Sequence, residues 1–143
     1  MSNTQFVFLD SRAIPNRAAL QESIDALGCD LQLAPALELA RDTGFSACVF
    51  NGLPVGFELT PSSTQDAAHD DPDFVAMAAG RDFCIGLSWG GSMRDYVAAM
   101  IVSCALARDF DAVVSFEGDE PTSTRELSEQ LPGLIKVALS ERH

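Results

Sequence analysis

The sequence predicts an α+β domain: a mixed sheet with a buried apolar helix, residues 92–108, packed on one of its faces. Three features point there. Residues 83–116, FCIGLSWGGSMRDYVAAMIVSCALARDFDAVVSF, read as strand, glycine turn, apolar helix and strand. Asn51-Gly52 separates two runs of strand-forming residues, and both tolerate the positive φ that a tight hairpin needs. The chain has 143 residues, 47% of them hydrophobic, enough for a single domain with its own core.

The central stretch carries most of the signal. Phe83 to Trp89 is a short run with β-branched and aromatic members, ended by Gly90 and Gly91. Ser92 is placed to cap the next helix, since its hydroxyl can accept a bond from a free N–H of the first turn. Asp95 adds negative charge where the helix dipole favours it. From Tyr96 to Ala107 only Ser103 and the Tyr96 hydroxyl interrupt the apolar run. A helix apolar nearly all round is buried, with Met100, Ile101 and Cys104 expected among its core contacts. It is shorter than the roughly 18 apolar residues of a membrane span. Ala112 to Phe116 reads as a second strand. The unit has the length of a right-handed crossover between parallel neighbours, while the hairpin supplies antiparallel pairing; hence the mixed sheet.

The other elements follow in order. Gln5–Leu9 is a strand. Asn16 caps a helix that runs to Leu27, with Leu20, Ile24 and Leu27 on one face, and Gly28 ends it. Leu31 and Leu33 alternate with polar residues as a half-buried strand. Ala36–Arg41 reads as a helical turn or an irregular link. Phe45–Phe50 and Val55–Leu59 are the arms of the hairpin. PSSTQDAAHDDPD, residues 61–73, reads as a polar loop, and Phe74–Ala79 as a short helix. Ser123 and Glu126 form a capping-box pattern opening a helix through Gln130. Pro132-Gly133 is expected to break it, leaving 134–140 as a C-terminal helix whose spacing also suits a strand.

Charge narrows the function. The formal net charge is −12, and Lys136 is the one lysine. Such a field repels nucleic acid and anionic lipid, and it suits a cationic partner or simply keeps a protein soluble. Cys29, Cys48, Cys84 and Cys104 have no CxxC spacing and sit in apolar surroundings, as free thiols do in a reducing compartment. MSNTQFVFLD lacks the basic start of a signal peptide. The expected location is therefore the cytoplasm.

No strong catalytic signature stands out. Gly86-Leu-Ser-Trp-Gly-Gly-Ser92 lacks the spacings of phosphate-binding loops and reads as a capped turn. His69-Asp-Asp-Pro-Asp73 offers imidazole and carboxylates but not the full set of a calcium loop. A nucleophile such as Cys84 would need a histidine beside it, and the chain has only His69 and His143.

Val55-Gly-Phe-Glu-Leu59, Ser88-Trp-Gly-Gly-Ser92, the alanine-rich Val97–Ala107 and Phe110-Asp-Ala-Val-Val-Ser-Phe-Glu-Gly-Asp-Glu120 together resemble the small immunity proteins encoded beside secreted bacterial toxins. The resemblance covers the second half of the chain. It implies a compact, non-enzymatic α+β domain that binds and blocks one cognate toxin through an acidic face, with no catalytic residue and no cofactor or metal to carry over. The residues expected to form that face are Asp70, Asp71 and Asp73, then Glu117, Asp119 and Glu120, with Trp89 as a rim anchor. The expected partner is a cationic protein, not nucleic acid or membrane; association as a homodimer stays open. The competing expectation is a small hydrolase or metal-assisted enzyme built on His69 and nearby acidic residues.

Overall fold

The hairpin is closed by Asn51 and Gly52, at φ of 49° and 79°, the mirror-image turn geometry that matches strand twist. It joins β3 (Gly44–Phe50) to β4 (Leu53–Ser63), with Phe50 facing Leu53 across the turn. The computed structural model describes residues 3–90, 92–116 and 121–140. Within them the remaining elements are β1 (Asn3–Leu9), α1 (Arg17–Ala26), β2 (Leu31–Gln32), α2 (Thr64–Ala68), α3 (Pro72–Met77), β5 (Phe83–Trp89), α4 (Met93–Asp109), β6 (Val113–Phe116) and α5 (Thr124–Ser140).

The six strands form one sheet in the order β2-β3-β4-β5-β1-β6. The fold is α+β, but the expected mixed sheet is corrected: every pairing is antiparallel. β5 and β6 do run in the same direction, as a crossover requires. They are not neighbours, because β1 lies between them and pairs antiparallel with both. Phe6, Val7, Phe8 and Leu9 explain that position. Val7 and Leu9 join the core under one face, while Phe8, with Phe6 against it, joins a smaller cluster on the other. A strand with apolar side chains on both faces is stable only where both faces are covered.

Strand alternation divides the side chains between the two faces. Val55, Phe57, Leu59, Ile85 and Leu87 meet α4, together with Leu20 and Ile24 of α1 and Leu127, Leu131 and Ala138 of α5. On the opposite face Phe74 of α3 packs edge-on against Phe6 and Phe8, with ring centroids at 5.1 and 5.2 Å. Ala68 of α2, Ala78 and Cys84 complete the buried part of that cluster.

α4 is the buried helix. Every residue from Val97 to Leu106 is buried, including Met100, Ile101 and Cys104. Its one polar group in that run is satisfied: Ser103 Oγ donates to the Ala99 carbonyl at 2.8 Å and accepts from Gln5 Nε2 at 2.6 Å. Gln21 does comparable work beneath β2. It donates to the Leu31 carbonyl at 2.7 Å and accepts from Leu33 N–H at 2.9 Å, which ties that short strand to α1. Asn16 caps α1 as expected, accepting from Ala19 N–H at 2.8 Å. Ser123 caps α5 through Glu126 N–H at 3.1 Å.

Three further expectations are overturned. Residues 61–73 are not a loop: β4 continues to Ser63 and α2 begins at Thr64. Pro61 is tolerated because β3 ends opposite Leu59, so its missing N–H faces no strand, the position in which a sheet accepts proline. Ser92 stands at the start of α4 but makes no side-chain cap. Pro132-Gly133 does not divide the last helix, since α5 runs unbroken through Pro132. A proline inside a helix costs about 3 kcal/mol. Leu127 and Leu131 before it and Ala138 beyond it are buried in the common core, which holds both halves on one axis.

Ile101 is fully buried at the centre of α4. Ile101→Asp places an unpaired charge there and is expected to cost more than about 3 kcal/mol. Urea denaturation of the purified variant measures this directly, and a midpoint near that of the wild type would contradict the placement of α4.

Candidate functional site

β4 outruns β5 at one end, and a site is built there. The pairing of β4 with β5 begins at Glu58 opposite Ser88, so Gly56 N–H lies beyond the last β5 partner. The Asp95 carboxylate, in the first turn of α4, accepts that N–H at 3.0 Å and takes the place of a strand carbonyl. Pro54, the next position along the same edge, has no N–H to satisfy. Local sequence thus lets β5 leave the sheet and turn into α4, opening a gap beside Gly56.

That gap is a cleft of about 490 Å³ lined by Phe45, Gly56, Phe57, Glu58, Ser88, Trp89, Gly90 and Asp95. Phe45 lies on the sheet face opposite to α4 and is 66% exposed, although it is a large aromatic. Its ring leans over Gly56, the diagonal neighbour on β4. A Cβ at position 56 would strike that ring and the Ser46 carbonyl. Glycine therefore lets the ring lie on the strand, a known way of shielding backbone where a side chain is missing. Trp89 is half-buried and stacks on Tyr96 of α4 at 4.9 Å, with Phe116 of β6 at 6.0 Å.

A second cleft of about 520 Å³ lies across the same sheet face, lined by residues that include Thr4, Thr60, Gly86, Asp66, His69 and Cys84. Ser88 lines both, so the two meet there; its hydroxyl is 2.9 Å from that of Thr4. Glu58, Asp66 and Asp95 bring carboxylates to this trough, and among the described residues neither cleft is lined by lysine or arginine.

The expected site residues are only partly brought together. Asp70 and Asp71 lie on the exposed link from α2 to α3, beside the second cleft's His69, and Asp73 is exposed in the first turn of α3. His69 and Asp70 turn the chain there at φ of 48° and 68°. Asp71 is already engaged: it caps α3, accepting from Asp73 N–H at 3.0 Å and Phe74 N–H at 3.4 Å. Trp89 belongs to the first cleft. Glu117, Asp119 and Glu120 lie outside the described residues. The sequence reading missed Phe45, Glu58 and Asp95. The available signal was β3 itself, where Phe45, Ala47 and Val49 make an apolar row on the face opposite to Cys48 and Phe50.

The catalytic alternative meets a specific obstacle. Cys84, His69 and Asp66 do line one cleft, but Cys84 is 1% exposed and burial pushes its thiol up to about 12. A nucleophilic cysteine needs the reverse, a thiolate near neutral pH. Among the described residues no group of three or more His, Cys, Asp or Glu side chains is arranged to hold a metal ion. No described helix is long and apolar enough to cross a membrane. Compared with protein families, curated proteins and solved structures, the chain matches none.

Two outcomes follow from this geometry. Gly56→Ala should destabilise by about 1–3 kcal/mol, the usual range for forcing atoms into a packed position, read from denaturant melts. All four cysteines are free, three are buried and Cys29 is half-buried. A thiol reagent at neutral pH should therefore modify Cys29 first and the other three only as the chain unfolds, as mass spectrometry of the labelled peptides would show.

Proposed function

We propose that this chain is a non-catalytic binding protein of the immunity type, which engages a basic protein toxin and neutralises it. One observation carries the reading: a trough on an open sheet face, bordered by carboxylates, with a largely exposed phenylalanine and no described basic side chain lining it. Aromatic residues are enriched at interaction surfaces, so a largely exposed ring bordering a trough is a feature of one. The net charge of −12 supports the same partner chemistry, since a field of that sign speeds encounter with a cationic protein and disfavours acidic ones. The resemblance of the second half of the chain to immunity proteins supplies the class.

The experiment is association kinetics with the product of the neighbouring gene, at low and high salt. Asp70→Lys combined with Asp73→Lys should slow association and leave dissociation nearly unchanged, because such exposed charges steer encounter more than they hold the complex. Asp71 is left intact because it caps α3. The wild-type on-rate should fall steeply as salt rises. An on-rate indifferent to both salt and charge reversal would remove the reading.

A further inference from the structure

We propose that the cleft at the end of β5 is an arginine receptor: it seats one guanidinium group of the partner between the exposed ring of Phe45 and the carboxylates of Glu58 and Asp95. This rests on the reading above and names the partner group that the site would take.

The arrangement of the walls carries the inference. Phe45 and Glu58 are direct cross-strand partners. Gly56 N–H turns away from β3 toward Asp95, so Glu58, two residues further on, also turns its backbone groups away from β3. Phe45–Glu58 is therefore a non-hydrogen-bonded pair, the kind whose side chains stand closest together. A flat cation lying on the Phe45 ring is then within reach of the Glu58 carboxylate. Asp95, half-buried, adds a second negative charge at the cleft's inner end, and Trp89 a second aromatic surface.

Each wall selects for the same ligand. An aromatic face attracts a cation through its quadrupole. Guanidinium stacks on rings, binds carboxylates through a planar fork and is more weakly hydrated than ammonium, so it loses less on entering a half-enclosed site. The cleft volume of about 490 Å³ falls within the range of sites for small groups. No lysine or arginine of the described chain lines the cleft to neutralise it from within.

Trp89 is the only tryptophan and lines this cleft, so tryptophan fluorescence reads out a residue of the site. The probe is the capped peptide Gly-Leu-Arg-Leu-Gly, titrated to roughly 10 mM, beside the same peptide carrying citrulline or lysine in place of arginine; millimolar binding corresponds to about 4 kcal/mol. A saturable change is expected with arginine, a weaker one with lysine and none with citrulline, which has the same shape without charge. Glu58→Gln, an exposed change that spares the core, and Phe45→Ala should each weaken arginine binding about two- to fivefold. A citrulline or lysine peptide that binds as well as the arginine peptide overturns the proposal. So does an unchanged affinity in both variants, or no saturable signal. The broader functional reading fails on a different result, the salt- and charge-independent association rate, so the two can fail separately.

Discussion

The burial of α4 on all sides is the constraint to which the rest of the molecule answers. A helix with ten consecutive buried residues, Val97 to Leu106, cannot rest on a sheet alone, because a sheet covers only one of its sides. α1 and α5 must close over the others, and their apolar stripes have the spacing to do so. The sheet in turn must be wide enough to floor the helix, which brings β1 into the centre and uses its second apolar face to recruit α2 and α3. Even Gln5 belongs to this scheme, since it is the partner that lets Ser103 be buried without losing a hydrogen bond.

Much of this was legible in the sequence, for reasons that can be assigned to particular residues. Asn51-Gly52, the Asn16 cap, the capping pair at Ser123 and the apolar run of α4 are local signals, and each acts within a few residues of itself. The order of the strands was not legible. Nothing near Phe6 or Val114 states that β1 will come between β5 and β6, because that is decided by competition among distant faces. Pro132 misled for the same reason in reverse: its local meaning is a break, and tertiary packing of Leu131 and Ala138 overrode it.

The site was harder to read than the fold. Aspartates that looked like a binding face include one, Asp71, that is occupied in capping a helix. The more telling residues are an aromatic on an outer strand face, a glycine beneath it and an acid on a helix nearly forty positions away. In the sequence Asp95 marks only a favourable place in the helix dipole; in the fold the same carboxylate also completes the edge of β4. It therefore joins the open cleft to the first turn of the most buried helix.

The position of β1 also has a consequence for biosynthesis. Val7 pairs with Ile85 on one side and with Val114 on the other. The first strand to leave the ribosome is thus among the last to find its partners. At about 5–20 residues per second, Phe6, Val7, Phe8 and Leu9 stay exposed for seconds while the intervening chain is made. The hairpin of β3 and β4, closed by its own turn, can form during that interval and wait. Folding governed by such distant pairings is slow compared with the collapse of a helical bundle, and the nascent chain carries an adhesive apolar segment throughout. Here the abundance of acidic residues has a second use, keeping half-made copies apart until α4 and β6 arrive to close the sheet.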